Sequence, residues 1–319
     1  MIDYIFDKIA AKQPLAKEDA VGLLNIKNSS ADFYRLLSIA NGLSRAEYKN
    51  KGYIFAQIGI NSEPCSGRCR FCSLSESGFS VGARFEKDLP QVVSEAQNIA
   101  KEKVEALFLM TTADYGKEKF LSVGKAVRAI LPHDIHMVAN IGDFGPEYAN
   151  ALKAAGFFAA YHICRLREGI DTDITKSQRI GTLNAIKEAG LNLYYCVEPI
   201  GPEHTYEELA EEMIRARDYG VEVMAAMRRV NVPGTVFENA NEITELEMAK
   251  IAAVTRIAAN PKKSMNVHEP MHMPLLAGVN QLYAEFGANP RDNGADTEKN
   301  RGFGLAAVQK MLREAEYDI

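Results

Sequence analysis

The 319-residue sequence predicts a parallel (β/α)₈ barrel of the TIM type, preceded by a helical extension. Three observations lead to this fold class. Short apolar runs rich in β-formers alternate with amphipathic helical stretches, the alternation is regular, and several helical stretches end at a glycine. We expect the extension to span residues 1–48 and the barrel 49–319, as a single domain overall. A doubly wound parallel sheet is the alternative architecture.

The extension is predicted from two stretches near the N-terminus, PLAKEDAVGLL and SSADFYRLLSIANGL, which carry apolar residues at helical spacing. Eight strands are predicted after it, at residues 53–60, 105–111, 135–140, 157–164, 191–197, 221–227, 263–268 and 281–285. Helical stretches such as LPQVVSEAQNIAKE and TYEELAEEMIRARDYG lie between them, and FGLAAVQKMLREAE ends the chain. Gly156, Gly190 and Gly220 suit left-handed caps at helix ends.

Composition and charge argue against several classes of function. The net charge is −5, with Lys and Arg scattered along the chain, which does not indicate nucleic-acid binding or a basic membrane patch. The N-terminal stretch has no apolar signal core, and no run is long enough to span a membrane. These features predict a cytoplasmic protein. Five cysteines are an odd number, so metal or redox chemistry is a better expectation than a disulfide framework.

Residues that can carry chemistry fall where the predicted strands end. In a (β/α)₈ barrel the active site lies at the carboxyl ends of the strands. The residues at these ends are Cys65–Cys72 after the first strand, Thr111 and Thr112 after the second, Asn140 after the third, Cys164 after the fourth, Cys196 on the fifth and His268 on the seventh.

The most specific pattern is the segment NSEPCSGRCRFCS, in which Cys65, Cys69 and Cys72 have the spacing Cys-x₃-Cys-x₂-Cys. Thiolates are the usual ligands of iron–sulfur clusters, and three of them leave one iron of a [4Fe–4S] cluster open. A structural zinc site would need a fourth close ligand, which the segment lacks. A disulfide with one spare thiol is the other alternative.

This loop, placed after the first strand of a barrel, resembles the radical S-adenosylmethionine (SAM) superfamily. The resemblance implies that the open iron binds the amino and carboxylate groups of SAM. It also implies that one electron cleaves SAM to methionine and a 5′-deoxyadenosyl radical, which takes hydrogen from an unactivated carbon. An electron donor such as flavodoxin or ferredoxin is implied as a partner.

Within the superfamily the sequence resembles the biotin synthases along most of its length. The segments that carry the resemblance are GYIFAQIGINSEPCSGRCRFCSLS, NIGDFGPEYANALKAAG, TLNAIKEAGLNLYYC, VPGT and LLAGVNQLYAE. The resemblance implies that Thr111 and Thr112 meet the methionine part of SAM and that Arg179 contacts its carboxylate. It places Ile200 and Gly201 near the adenine. A solvated position at the start of a helix is the alternative for Arg179.

The sequence departs from the family at the second cluster. Biotin synthases hold a [2Fe–2S] cluster with three cysteines and an arginine, whose positions correspond here to Leu109, Ala139, Cys196 and Asn266. Only Cys196 is retained. Because Cys164 supplies a new thiol, we expect a rebuilt auxiliary cluster held by Cys164 and Cys196, with His268 or His162 as a further ligand. Ordinary burial of both cysteines is the alternative.

Charged side chains near strands 4 and 6 offer a substrate clamp. Arg165, Arg167, Arg228 and Arg229 are candidates to bind a substrate carboxylate. The alternative is that they balance Glu168 and Glu198. The remaining histidines are predicted to lie on the surface or in loops; these are His133, His136, His204 and His272.

The reaction implied by the resemblance is SAM-dependent sulfur insertion into dethiobiotin, a small-molecule substrate, with sulfur taken from the auxiliary cluster. The resemblance leaves a homodimer open. Three alternatives remain: sulfur insertion into an octanoyl chain, as in lipoyl synthases; another biotin-synthase-like isomerase or maturase without an auxiliary cluster; and a non-catalytic iron–sulfur carrier or scaffold.

Overall fold

The computed structural model describes residues 2–79, 83–288 and 302–319. Three helices precede the barrel, namely α1 (Ile2–Ala10), α2 (Lys17–Leu24) and α3 (Ala31–Glu47). Helix α3 begins after Ser30, whose hydroxyl accepts a hydrogen bond from the backbone N–H of Phe33. The predicted helical extension is present.

Eight parallel strands form a closed barrel, so the predicted (β/α)₈ fold is confirmed. Each strand is hydrogen-bonded to its two neighbours around the barrel, and the last strand along the chain closes the barrel against the first. The strands are β1 (Tyr53–Gly59), β4 (Ala106–Met110), β5 (His136–Asn140), β6 (Ala159–Tyr161), β7 (Asn192–Ile200), β8 (Val223–Arg228), β9 (Ser264–His268) and β10 (Gln281–Tyr283). All eight overlap the predicted runs.

Helices cover the outside of the barrel. They are α4 (Leu89–Ile99), α5 (Lys117–Ile130), α6 (Pro146–Ala154), α7 (Lys176–Ala189), α8 (Tyr206–Asp218), α9 (Glu245–Ala259) and α10 (Leu305–Glu314), and a 3₁₀-helix (Met273–Ala277) connects β9 to β10. Gly156, Gly190 and Gly220 all have positive φ at helix ends, as predicted.

Two hydrophobic layers hold the barrel together. The inner layer is aromatic, and its rings pack across the barrel axis: Phe55 stacks on Tyr194 at a centroid distance of 5.8 Å, and Phe108 meets Tyr283 edge-on at 5.2 Å. These rings pack against one another inside the barrel. The outer layer lies between strands and helices and includes the apolar faces of α1–α3.

The N-terminal helices are fixed to the barrel by a buried polar contact as well. Arg256 on α9 is fully buried, and its Nε donates to Ser44 Oγ at 2.9 Å while its guanidinium pairs with Glu47 on α3. A buried arginine is tolerated only when it is paired in this way. Helix α3 therefore packs against the barrel layer as part of one continuous core.

A small antiparallel pair, β2 (Asn61–Ser62) and β3 (Phe85–Glu86), lies beside the barrel and was not predicted. The cysteine segment lies between these two short strands along the chain. In the ranges that the structure describes, no helix is long and apolar enough to cross a membrane.

Candidate functional site

The cysteine loop is shaped by backbone hydrogen bonds. Cys65 N–H donates to Leu74 O at 2.8 Å, Glu76 N–H returns to Cys65 O at 3.0 Å, and Cys72 N–H donates to Cys69 O at 3.1 Å. These bonds join the two ends of the loop. A segment without helix or strand needs such bonds because its backbone N–H and C=O groups must find hydrogen-bond partners. The three thiols are thereby held on one compact turn.

Two neighbouring loops anchor this turn. Asp114 accepts hydrogen bonds from both the backbone N–H and the hydroxyl of Ser66, at 2.7 and 2.6 Å. On the other side, Asp173 N–H donates to Gly67 O at 2.9 Å, and Arg70 pairs with Asp171 at 3.0 Å. The loops that follow β4 and β6 therefore fix the position of the cysteines.

Gly67 lies against two of the three thiols. A Cβ at Gly67 would lie 3.6 Å from Cys65 Sγ, 3.7 Å from Cys69 Sγ and 3.0 Å from Ile174. Burial raises the pKa of Cys65, and it raises the pKa of Cys69 to about 12 although the charge of Arg165 opposes it. Thiols of this kind ionise when a cation replaces the proton. The donor set and the glycine cradle therefore fit a thiolate-bound iron–sulfur cluster.

In the part of the chain that the structure describes, no three His, Cys, Asp or Glu side chains are placed to hold a single metal ion.

The three cysteines line a cavity at the carboxyl ends of β4–β6, which we call the loop cavity. Thr111, Thr112 and Arg179 line the same cavity, so three of the residues predicted to contact SAM lie beside the thiols. Thr112 is fixed by Asn61, which donates to its hydroxyl at 2.9 Å and accepts from its backbone N–H at 3.0 Å. The hydroxyl of Thr111 is buried and has no hydrogen-bond partner among the described residues.

Arg179 is buried, which excludes the alternative of a solvated helix residue. Its Nε donates to Glu168 at 3.0 Å and its Nη1 to Asp143 at 3.1 Å. Burial opposes ionisation of Asp143, but the contact with His162 and the charge of Arg179 outweigh burial and lower its pKa to about 2. Two carboxylates thus hold the guanidinium at the wall of the loop cavity.

Ile200 and Gly201 do not line the loop cavity or the cavity inside the barrel. Ile200 is buried in the outer hydrophobic layer, and Gly201 N–H donates to His204 Nδ1 at 3.1 Å. The prediction that they approach adenine stays a prediction. His204 is also not a surface residue, because only 2% of its side chain is exposed.

A second cavity, the barrel cavity, opens inside the barrel and adjoins the loop cavity. The two share Cys69, Cys72, Asn140, Tyr161 and Arg165 in their walls. The barrel cavity is further lined by the polar side chains Gln57, Ser73, Cys196, Glu198, Asn266 and His268 and by the apolar side chains Phe71, Phe108, Met110, Ala225, Met227, Val232 and Tyr283. A molecule in this cavity would be close to one bound at the cysteine loop.

Cys164 and Cys196 have different surroundings. Cys196 lines the barrel cavity beside Tyr161 and Glu198, whereas Cys164 lines neither cavity. Burial raises the pKa of the Cys164 thiol to about 12, and the negative charge of Glu212 on helix α8 adds to this effect. An auxiliary cluster held by both thiols stays a prediction, and these contacts give it no support.

The reason lies in where strand β6 stops. The predicted run reached residue 164, but β6 ends at Tyr161, so the alternation of side chains does not extend to Cys164. His162 and Cys164 therefore do not lie on one face of a strand, as two residues at this spacing within a strand would. His162 Nε2 lies 3.1 Å from Asp143, while the Cys164 backbone N–H donates to Tyr195 Oη at 3.1 Å.

Two further positions need correction. Leu109 and Ala139, which correspond to cluster cysteines of biotin synthases, belong to the outer layer between strands and helices. Phe108, Met110 and Val138 belong to the inner layer instead. A shift of one residue along a strand exchanges the two faces, so the interior positions correspond to Phe108 or Met110 and to Val138 if the alignment moves by one residue. None of these residues carries a thiol. Asn266 does line the barrel cavity.

Of the four candidate arginines, Arg165 lines the loop cavity and the barrel cavity, and the other three line neither of these two. Arg229 is fully buried, and its guanidinium pairs with Glu203 at 2.8 Å, so it is not a substrate clamp. Arg167 pairs with Asp171 at 3.3 Å and Arg228 lies 3.8 Å from Glu242.

Three residues of the site were missed from the sequence, namely Asp114, Asp143 and Tyr161. Asp114 and Asp143 follow the second and third strands, so the position rule used for Thr111 and Asn140 could have found them. Tyr161 follows Ala159 by two on one strand, which predicts that both face the interior.

Comparison with known proteins places this site in context. No family model matches the chain. The biotin synthase of Chlorobaculum tepidum is 27% identical over 261 residues and covers 77% of each chain. The biotin synthase of Brachyspira hyodysenteriae is 24% identical over 333 aligned residues, covering 100% of this chain and 95% of that protein.

Solved structures share the fold. The FeFe-hydrogenase maturase HydG from Carboxydothermus hydrogenoformans superposes with a TM-score of 0.79 at 18% identity, covering 99% of this chain and 78% of its own. Methylornithine synthase (PylB) superposes with a TM-score of 0.81 at 15% identity, covering 98% of this chain and 96% of its own.

The solved structures share the barrel fold, and the cysteine loop together with the likeness to biotin synthases indicates a radical SAM enzyme. Within that class the chain is biotin-synthase-like.

Proposed function

We propose that this protein cleaves SAM reductively at the Cys65–Cys69–Cys72 loop and abstracts hydrogen from a small molecule in the barrel cavity. The observation that carries the proposal is that the three thiols share one cavity wall with Thr111 and Arg179. When bound, a [4Fe–4S] cluster and SAM supply a 5′-deoxyadenosyl radical. Cys65, Cys69 and Cys72 would hold the cluster.

The chain's own residues position SAM and exclude water. Thr111 offers an unpartnered hydroxyl to the methionine part of SAM, and Arg179 offers its charge to the carboxylate, held in place by Asp143 and Glu168. Phe108 and Tyr283 of the aromatic inner layer form part of the wall of the barrel cavity. A protected site matters because a carbon radical is easily diverted by solvent or oxygen.

For the specific reaction, the relatives favour sulfur insertion into dethiobiotin, because matches over most of the chain are biotin synthases. This reading requires an auxiliary cluster in the barrel as the sulfur source, and Cys196 and His268 are the predicted ligands of that cluster that line the cavity. With this reaction we also expect a reducing protein such as flavodoxin or ferredoxin as electron donor and a cytoplasmic location. We expect residues 1–48 and the barrel to form one domain.

A second reaction class is favoured by the position of Cys164. Because Cys164 lines neither cavity whereas Cys196 lines the barrel cavity, the two thiols do not share a cavity wall on which a second cluster could be held. A biotin-synthase-like isomerase or maturase needs no such cluster. The carrier or scaffold alternative would explain the cysteines but leaves Thr111, Arg179 and the barrel cavity without a role.

One anaerobic experiment separates these readings. The reconstituted protein is reduced with SAM and dethiobiotin, and 5′-deoxyadenosine, biotin and iron are measured. We expect 5′-deoxyadenosine in every radical SAM reading. Biotin together with clearly more than about four irons per chain supports sulfur insertion, whereas about four irons and no biotin supports the second class. Absence of 5′-deoxyadenosine would leave the carrier reading.

A further inference from the structure

The barrel cavity contains one buried ion pair. Arg165 lies just beyond β6 and Glu198 lies on β7, and Nε of the arginine is 3.2 Å from Oε1 of the glutamate. Among the described residues that line this cavity, they are the only Arg, Lys, Asp or Glu side chains. Their side chains are 22% and 9% exposed, so little bulk water reaches them.

The pair is not saturated. Arg165 meets Glu198 by charge and proximity alone, because its buried Nε has no hydrogen-bond partner among the described residues. Glu198 accepts from Tyr161 Oη at 2.8 Å through its other oxygen. Because a carboxylate offers about four acceptor sites, Glu198 can take at least one more donor.

Charge balance limits what can bind beside this pair. The two side chains already neutralise each other, so a ligand that brings only a carboxylate leaves one unbalanced negative charge in a poorly hydrated cavity. A ligand that brings a carboxylate and an ammonium together leaves none. Arg165 then binds the carboxylate through its Nη edge, and Glu198 accepts from the ammonium.

We propose that the barrel cavity takes an α-amino acid or a closely similar zwitterion, whose carboxylate binds Arg165 and whose ammonium binds Glu198. This inference rests on the proposed radical chemistry, follows the second reaction class and not sulfur insertion into dethiobiotin, and names the substrate class. Arg165 and Glu198 are in contact, so the two groups of the substrate must be only a few bonds apart. Dethiobiotin does not have this arrangement, because a methylene chain separates its carboxylate from its ureido ring.

The test follows deuterium. The reduced, reconstituted protein is supplied with SAM and an equimolar mixture of uniformly deuterated L-amino acids, and the mass of the 5′-deoxyadenosine is measured. We expect deuterium in the product, with one amino acid accounting for it when the mixture is resolved. A mixture of the same amino acids with acetylated amino groups should give none.

Variants of Arg165 and Glu198 test whether the deuterium transfer depends on their ion pair. Arg165→Gln, Glu198→Gln and the charge-neutral double variant should each weaken deuterium transfer by about 10- to 100-fold, since a charge-assisted hydrogen bond is lost. Undeuterated 5′-deoxyadenosine should still form. Arg228→Gln is the matched control, because Arg228 lies outside the walls of both cavities, and it should behave as the wild type.

Three results would overturn the inference: deuterium supplied by deuterated dethiobiotin and not by amino acids, transfer from amino acids that the Arg165 and Glu198 variants do not affect, or loss of all SAM cleavage in Arg165→Gln. The last would mean that Arg165 serves the carboxylate of SAM. If the wild type cleaves no SAM, the proposed function fails, and saturation-transfer NMR with the same amino acids decides the binding claim separately.

Discussion

Asp143 links the two sides of the loop cavity, because its carboxylate contacts Arg179 from one side and His162 from the other. Thr182 also donates to it, at 3.0 Å. These contacts favour the ionised form, which is why the pKa of Asp143 is lowered to about 2 even though burial acts against it. A carboxylate that ionises more readily in the folded state stabilises the fold at neutral pH.

We therefore expect Asp143→Asn to lower the free energy of unfolding by about 2 kcal/mol at pH 7. The stabilisation is present above the unfolded pKa near 4 and is lost as the pH falls toward 2, so the difference from the wild type should shrink over that interval. Urea denaturation at a series of pH values measures it. Asp134→Asn, at an exposed position, is the control. A difference that stays constant down to pH 2 would contradict this explanation.

Thr111 carries the second residue-scale prediction. Its hydroxyl is buried without a partner among the described residues, so Thr111→Val removes one polar group and keeps the shape. If the hydroxyl binds SAM, KM for SAM should rise by about 2- to 10-fold, while the free energy of unfolding stays equal or increases. Thr255→Val is the matched control, because Thr255 Oγ1 is also buried without a partner but lies on α9. An unchanged KM in Thr111→Val would remove Thr111 from the SAM site.

At the scale of elements, helix α7 shows how glycine acts in opposite ways within one helix. Gly181 lies in its interior, and a Cβ there would meet nothing within 4 Å. Gly190 caps the helix with φ +63°, a conformation that side chains rarely adopt. The end of this helix fixes where β7 begins, and β7 carries Cys196 and Glu198.

We expect Gly181→Ala to raise the free energy of unfolding by about 0.5–1 kcal/mol, because alanine loses less backbone entropy in a helix. Gly190→Ala should lower it by about 1 kcal/mol through strain in the left-handed conformation. Both are measured by chemical denaturation under identical conditions. Equal effects of the same sign would show that the cap geometry does not govern the end of α7.

At the scale of the whole molecule, the barrel could be predicted because its signals are local. Apolar runs, amphipathic stretches and glycine caps each depend on a few neighbouring residues, and all eight strands lie where these signals place them. The cysteine loop could be predicted for the same reason, since its three thiols occur within eight residues.

Side-chain direction beyond the strand ends could not be predicted. The position of the Cys164 side chain depends on the early end of β6. The burial of Arg229 depends on its ion pair with Glu203, which lies on a different loop. Such contacts join residues that are distant in sequence, so periodicity carries no information about them. The same holds for Asp143, whose partners Arg179 and His162 come from the parts of the chain that follow β6.

The central claim, that the cysteine loop generates a radical from SAM, is tested most directly by one measurement. Anaerobically reconstituted protein is reduced with SAM, and 5′-deoxyadenosine is quantified for the wild type, Cys69→Ala and the control Cys164→Ala. We expect product from the wild type and from Cys164→Ala and none from Cys69→Ala, with all three equally folded by circular dichroism, since the core does not depend on the metal. Undiminished 5′-deoxyadenosine from Cys69→Ala would contradict the claim.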